Sequence, residues 1–160
     1  MNTALTWLRS KSTLWVFLGL IIIDRVLKLL AISEWAHDAL RIKPWLVFAL
    51  EHNTGIAWGL ASSDAPYMKL VLIVVMALAL TGIAYKSLLE WCAGNSTRNE
   101  ILIIIGGLSN LIDRIQYGAV VDFVQIFIGN YRLSVFNLAD VYIVAGLAFI
   151  LKKAWINGNF

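Results

Sequence analysis

Residues 109–140 place ionisable and amide side chains beside or between two strongly apolar runs. The set comprises three carboxylates, two amides and one guanidinium: Asp113, Asp122, Asp140, Asn110, Asn137 and Arg114. An ionised group is costly beside hydrocarbon unless it is paired, hydrated or functional. Two carboxylates held close together cannot both ionise cheaply, so one keeps a proton and the other does not. Such a pair supplies the acid and the base needed to activate water against an amide.

Spacing alone leaves other interpretations open. The sequence contains no Gly-x-Ser-x-Gly or His-Glu-x-x-His motif, and no serine lies beside a plausible histidine. Ser134 and Lys28 would form a Ser/Lys pair only by an unsupported assumption. The alternatives to an aspartic hydrolase are buried ion pairs among Asp113, Arg114 and Asp122, or a proton relay in a transporter subunit.

Composition indicates the class of protein that must position these groups. Of the 160 residues, 60% are hydrophobic and 14% charged, and the mean hydropathy is +0.77. A water-soluble domain of this size could not bury so much apolar surface, so we predict one integral membrane domain, residues 1–160. The net charge of +3 is scattered and forms no basic stripe, so nucleic acid is not an expected partner. Cys92 is the single cysteine, and His37 and His52 lack metal-ligand spacing, so we expect neither metal nor cofactor.

Four apolar runs predict an all-α membrane protein. The expected transmembrane helices cover about 14–32, 68–86, 101–117 and 138–155. In the first run Asp24 and Lys28 lie four residues apart, which favours a salt bridge on one helical face. Tyr117 and Gly118 should end the third helix, and an irregular or strand-like connection should lead to the fourth. A transporter normally shows paired repeats, and no such symmetry relates the first two runs to the last two.

The segment 33–66 is too polar to cross a bilayer but rich in aromatic residues. Aromatic residues recur among its polar residues, at Trp35, Trp45, Phe48 and Trp58, which is typical of a segment lying at the level of the lipid headgroups. Residues 46–50 and 56–60 are β-capable runs separated by a stretch containing Asn53 and Gly55, so we predict a small sheet here. The fold class is therefore four transmembrane helices with a small extracytoplasmic β-containing segment that rests on the membrane.

Basic residues near the ends of the apolar runs predict the orientation. Six of them fall on the side of the chain termini: Arg9, Lys11, Lys86, Arg98, Lys152 and Lys153. Lysine and arginine accumulate on the cytoplasmic side of membrane proteins, so both termini should be cytoplasmic. Asp122 and Asp140 should then lie at the outer face of the membrane.

Five motifs in a fixed order closely resemble those of the lipoprotein signal peptidase family, also called signal peptidase II. They are Asp24-x-x-x-Lys28, Asn53-Thr54-Gly55-Ile56-Ala57-Trp58, Asn110-Leu111-Ile112-Asp113-Arg114, Val120-Val121-Asp122-Phe123 and Phe136-Asn137-Leu138-Ala139-Asp140. Each motif alone is weak, but the ordered set spans about 24–140 with the matching hydropathy. The resemblance implies a four-helix aspartic peptidase of the bacterial inner membrane.

The resemblance also implies roles for individual residues and partners. Asp122 and Asp140 would form the catalytic dyad. The residues that would support the substrate and the dyad are Asn53, Gly55, Asn110, Arg114, Asn137, Asp24 and Lys28. The substrates would be prolipoproteins, cut just before a diacylglyceryl-modified cysteine. Membrane lipids and cyclic peptide inhibitors of the globomycin type would be further partners.

Two departures and a third carboxylate qualify this comparison. The family usually has glycine where this chain has Ser109, and phenylalanine where it has Trp58. A side chain at Ser109 could alter the closeness of the third helix to its neighbour. Asp113 is expected to be structural, either holding Arg114 or capping the connection that follows, and is left out of the dyad.

Overall fold

The computed structural model describes residues 3–55, 66–156 and 158, and the side chains of 15–55, 67–156 and 158. The helices in these ranges are α1 (Thr3–Ser33), α2 (Pro66–Cys92), α3 (Arg98–Tyr117) and α4 (Leu138–Ile156). The strands are β1 (Leu40–Lys43), β2 (Leu46–Asn53), β3 (Val120–Ile128) and β4 (Tyr131–Phe136). Each of the four predicted apolar runs lies inside one helix.

Apolar side chains cover the outside of the helices. Trp15, Leu78 and Val144 are 70%, 67% and 65% exposed, as expected for helices whose outer faces contact lipid rather than water. Among the described helices, only residues Tyr67–Cys92 are long and apolar enough to cross a membrane by length and composition. The four-span topology therefore stays a prediction.

The four strands form one antiparallel sheet in the order β1-β2-β3-β4. The fold is helix-rich with one small sheet, and the sheet extends beyond the predicted β-containing segment 33–66. Two strands, β3 and β4, come from the connection that was predicted to be irregular or strand-like, and the predicted strand 56–60 lies outside the described residues. The first four residues of β3 are all buried, so the alternation that identifies a half-exposed strand is missing there.

Aromatic side chains attach the sheet to the end of α1. The buried core contains Ala31 of α1 with Val121 and Phe123 of β3. The ring of Trp35 lies 5.0 Å from that of Phe48 and 5.7 Å from that of Phe123, measured between centroids. Tilted aromatic pairs at this separation are favourable beyond the area they bury. The sheet is thereby fixed at the end of the helices where β3 begins.

Glycines let α3 and α4 touch backbone to backbone. A methyl group on Gly106 would collide with the carbonyl oxygen of Ala139, and one on Gly146 would lie 2.6 Å from the carbonyl oxygen of Asn99. A methyl group on Gly107 would instead meet the end of the Leu80 side chain in α2. The close contact sets the start of α4 directly beside the middle of α3.

Candidate active site

Asn137 and Asp140 form a reciprocal cap at the start of α4. The side-chain oxygen of Asn137 accepts the backbone N–H of Asp140 at 3.0 Å, and Oδ2 of Asp140 accepts the backbone N–H of Asn137 at 3.1 Å. This is a capping box, in which each residue satisfies an N–H group that the first helical turn leaves unpaired. It holds Asp140 in the first turn of α4, where the helix dipole stabilises a negative charge.

Asp122 lies in the buried part of β3, and two amide side chains hold its carboxylate. Asn53, at the end of β2, donates to Oδ2 at 3.0 Å. Asn137 donates to Oδ1 at 2.7 Å. Since Asn137 also caps α4 with Asp140, one asparagine contacts both aspartates. We call Asp122 and Asp140 the cavity carboxylates.

Asn110 on α3 connects the cavity carboxylates to a buried lysine. Its Nδ2 donates to Oδ1 of Asp140 at 2.7 Å, and its Oδ1 accepts from Nζ of Lys28 at 2.9 Å and from Nδ2 of Asn137 at 3.1 Å. A positive charge on the accepting side of an amide strengthens the hydrogen bond that the amide donates. Lys28 therefore does not contact Asp140 itself but strengthens the hydrogen bond that Asn110 donates to it.

The environment of Asp122 sets its protonation. Burial, reinforced by the negative charge of Asp140, raises the pKa of Asp122 to about 7. The hydrogen bonds from Asn53 and Asn137 and the charge of Lys28 act in the opposite direction without cancelling the effect. A carboxyl group with a pKa near neutrality can both give and take a proton at physiological pH.

A second group of buried charges lies behind the cavity carboxylates. Asp113 pairs with Arg25 and, at 2.7 Å, with Lys28; Lys28 also lies 3.2 Å from Asp24, which confirms the predicted salt bridge within α1. We call Asp24, Arg25, Lys28 and Asp113 the ion-pair cluster. Its two negative and two positive groups balance, as buried charges require.

The ion-pair cluster holds the backbone on which the cavity carboxylates stand. Oδ2 of Asp113 accepts the backbone N–H of Val121 at 3.2 Å, and Oδ1 of Asp24 accepts the backbone N–H of Ala139 at 2.9 Å. Val121 and Ala139 are the residues directly before the two cavity carboxylates. Each aspartate of the cluster therefore positions the backbone beside one aspartate of the cavity.

Ser109 belongs to the same cluster. Its hydroxyl donates to Oδ2 of Asp24 at 2.5 Å, and its backbone carbonyl accepts from Arg25 at 3.2 Å. The side chain of Ser109 does not hold α3 away from α4. Its hydroxyl is hydrogen-bonded to a carboxylate of α1, and α3 contacts α4 at Gly106.

Arg114 is placed differently from the sequence prediction. Its guanidinium donates to the carbonyl oxygen of Gly55, whereas Asp113 turns to Arg25 and Lys28, so the predicted Asp113–Arg114 pairing is wrong. The alternative prediction, that Asp113 caps the following connection, is confirmed by its contact with the Val121 N–H. Adjacent residues of a helix point about 100° apart, so the side chains of Asp113 and Arg114 do not face each other. Arg114 thus fixes the chain just after β2.

A cavity of about 1010 Å³ opens beside these groups. Six of the predicted site residues line it: Asp122, Asp140, Asn53, Gly55, Asn110 and Arg114. The other three, Asn137, Asp24 and Lys28, are buried behind it. Apolar residues of α4, including Val141, Val144 and Ala148, form a wall of the same cavity. The arrangement presents two carboxyl groups next to a mostly apolar groove, which suits acid–base hydrolysis of an amphipathic substrate.

Known proteins with this sequence pattern identify the family. The family model described as Signal peptidase (SPase) II matches residues 16–156. The chain belongs to the signal peptidase II family. It is therefore a peptidase.

Members of the signal peptidase II family from several bacteria align over most of their length with this chain. The lipoprotein signal peptidase of Nitrobacter hamburgensis is 37% identical over 137 residues, which cover 80% of each chain. That of Pseudoalteromonas translucida is 31% identical over 149 residues, covering 89% of this chain and 87% of the relative. A solved structure described as a bacterial membrane enzyme, at 2.3 Å resolution, superposes with a TM-score of 0.73 at 24% identity and covers 92% of this chain and 91% of its own.

The signal peptidase II motifs did not reveal every residue that builds the site. Arg25 pairs with Asp113, but no motif includes it. One signal was available: the predicted spans hold Asp24, Arg25, Lys28 and Asp113, and buried charges require balance. Counting the cations would have predicted that Arg25 needs a carboxylate on another helix.

Proposed function

We propose that this peptidase removes the signal peptide from prolipoproteins on the N-terminal side of a diacylglyceryl-modified cysteine, using Asp122 and Asp140 to activate water. The observation that carries the proposal is that both carboxyl groups line one cavity while a single asparagine, Asn137, contacts both. The family supports the substrate class, because its relatives are lipoprotein signal peptidases.

The two carboxyl groups have different surroundings, which suggests different roles. Asp140 stands in the first turn of α4, at the positive end of the helix dipole, and accepts hydrogen bonds from Asn110 and Asn137, so we assign it the role of the base. Asp122, with a pKa near 7, holds the shared proton and serves as the acid.

The reaction then follows from these protonation states. Asp140 accepts a proton from water as the water oxygen attacks the carbonyl carbon of the peptide bond. Asp122 gives its proton to the carbonyl oxygen, which forms a neutral gem-diol intermediate. As the C–N bond breaks, Asp140 returns a proton to the leaving nitrogen and Asp122 recovers one from a hydroxyl group. The pair ends with the single proton with which it began.

A purified-protein assay tests the proposal. The substrate is a synthetic prolipoprotein peptide with a diacylglyceryl-modified cysteine, and cleavage is followed by mass spectrometry in detergent. Asp122→Asn and Asp140→Asn should each abolish turnover, because an amide cannot cycle between acid and base. The matched control is Asp38→Asn, at an exposed aspartate outside the cavity, which should cut at the unaltered rate. Normal cleavage by folded Asp122→Asn or Asp140→Asn would overturn the mechanism.

We further propose that the protein crosses the bacterial inner membrane four times, with both termini in the cytoplasm and the cavity at the outer face. The family, the membrane-type helix α2 and the exposed apolar helix surfaces support a membrane location. The apolar wall of α4 suits the lipid part of the substrate and would also receive cyclic peptide inhibitors of the globomycin type.

Reporter fusions test this orientation. A reporter active only outside the cytoplasm should be active when fused after Ile128 and silent when fused after Asn95. Ile128 ends β3, beside the cavity, and Asn95 lies between α2 and α3. Activity after Asn95 would contradict the four-span arrangement.

A further inference from the structure

The strand β4 lines the cavity with its edge. Five consecutive residues of this strand border the cavity: Arg132, Leu133, Ser134, Val135 and Phe136. A strand that offered only one face would contribute every second side chain. The register against β3 shifts between Ser134 and Arg132, where Leu133 is an extra residue of β4, so alternation is not expected there. From Ser134 to Phe136 the pairing is regular, and consecutive lining residues are expected where the edge of a strand, with its backbone groups, faces the space. In the part of the chain that the structure describes, β4 is the last strand of the sheet.

The register identifies which backbone groups of β4 face the cavity. The N–H of Phe127 in β3 donates to the carbonyl of Trp45 at 3.0 Å, so Phe127 turns its backbone groups away from β4. Gln125, two residues earlier, has the same orientation, because β3 pairs with β2 in unbroken register at Leu46–Ile126 and Val47–Gln125. Val135 is the partner of Gln125 across the two strands. Gln125 and Val135 are therefore a pair that exchanges no hydrogen bonds. In such a pair the backbone N–H and C=O groups of each residue point away from the other strand, so those of Val135 face the open edge of the sheet.

This open edge leads to the cavity carboxylates. The strand β4 ends at Phe136 and is followed by Asn137, which contacts both carboxyl groups. Phe136 pairs with Val124, two residues along β3 from Asp122. A segment lying beside β4 therefore runs toward the two aspartates within the same cavity.

We propose that the substrate residues flanking the cut bond bind as a fifth strand, paired with β4 through the N–H and C=O of Val135. This inference rests on the proposed function and specifies how that site holds its peptide. An extended peptide that adds to a free sheet edge gains main-chain hydrogen bonds, which do not depend on its side chains. The pairing would hold the scissile peptide in the extended form and align its carbonyl with the cavity carboxylates.

Variants of Val135 test the enzyme's side of this pairing. Val135→Pro removes the outward N–H without removing a hydrogen bond between β3 and β4, and proline is tolerated at such edge positions. It should lower kcat/KM on the diacylglyceryl prolipoprotein peptide about tenfold. Val135→Ala, the matched comparison, keeps the N–H and loses only part of the side chain, so its kcat/KM should lie well above that of Val135→Pro. Equal kcat/KM for the two variants, at equal melting temperature, would overturn the proposal.

The substrate's side provides a test that does not depend on the folding of a variant. Single N-methyl groups are placed along the four residues on either side of the cut bond, excluding the scissile amide, and the unaltered enzyme is assayed. Strand pairing predicts large losses at every second position and small losses between them. Uniform losses, or none, would overturn it. If Asp122→Asn retains activity while the N-methyl pattern alternates, the proposed mechanism fails but the strand pairing stands.

Discussion

The ion-pair cluster and the cavity carboxylates are two buried polar groups a few residues apart, yet they are satisfied in different ways. Asp113 is fully buried and Asp122 is 1% exposed, so burial does not distinguish them. The aspartates of the cluster are paired with Lys28 and Arg25. The cavity carboxylates receive amide hydrogen bonds and have no directly bonded cation among the described side chains.

In the proposed mechanism, this difference separates a structural carboxylate from a reactive one. A cation in contact stabilises the charged form outright, whereas an amide stabilises it only in part and leaves the cost of burial uncompensated. The amide-bound Asp122 consequently has a pKa near 7. The cation-bound aspartates accept the backbone N–H groups just before the cavity carboxylates. The ion-pair cluster therefore positions the backbone that carries Asp122 and Asp140.

The largest expected effect is the loss of activity at the cavity. Asp122→Asn and Asp140→Asn should each reduce kcat by about 10²–10⁴-fold or more, and the double variant should be less than about tenfold worse than either, because the two groups act as one unit. Single-turnover cleavage of the lipidated peptide measures this. Multiplicative losses would show that the two aspartates act independently.

A change in the cluster should instead reduce the amount of folded protein. Asp113→Asn leaves Arg25 and Lys28 short of a negative charge, and breaking a buried ion pair costs about 3–5 kcal/mol. The yield of folded protein and its melting temperature should fall, while activity per folded molecule falls less. Size-exclusion profiles and active-site titration with a tight inhibitor separate the two quantities. A well-folded but inactive Asp113→Asn protein would contradict the structural role assigned to the ion-pair cluster.

The stability of the protein should depend on pH through Asp122. Its pKa is about 7 in the folded chain and about 3.9 when unfolded, so the native state binds more protons between these values. The stabilisation is complete below the unfolded value and is lost as pH rises through 7. Asp122→Asn should flatten the fall in melting temperature between pH 5 and 8, as measured by thermal scans. An equal slope in both proteins would refute this origin.

The smallest expected effect concerns Ser109. Ser109→Ala removes the hydroxyl that Asp24 accepts and should cost about 1 kcal/mol of stability. Ser109→Gly, which restores the usual family residue, should behave similarly. Activity per folded molecule should stay within about twofold, since the hydroxyl does not line the cavity. A loss of activity per folded molecule well beyond twofold would instead show that Ser109 contributes to the function of the cavity carboxylates.

The helices were predictable because the length and periodicity of an apolar run are visible in the sequence itself. Each predicted run lies within one helix, and the third ends as predicted, where Gly118 adopts φ 72° and returns its N–H to the Arg114 carbonyl. The motifs also indicated residues that the structure gathers around one cavity. What each residue does there stays a prediction that the variants above address.

The sheet and the partners of Asp113 were not predictable from local pattern. Residues 120–123 pair with β2 within the sheet and lie against α1 and α3, and all four are buried, so they show no alternation. Asp113 pairs with Arg25, 88 residues away in sequence, and not with the adjacent Arg114. Local spacing describes neighbours on one helix, and a contact between α1 and α3 depends on the packing of the whole chain.

Two adjacent glycines in α3 should differ in the natural variation they can tolerate. At Gly107 a methyl group would meet only the end of the flexible Leu80 side chain, which can rotate away. At Gly106 it would meet the carbonyl of Ala139, and relief would require the first turn of α4 to move. That turn carries one of the cavity carboxylates. If Asp140 acts as proposed, substitution at Gly106 is constrained by the geometry of the proposed dyad, through a position that has no side chain.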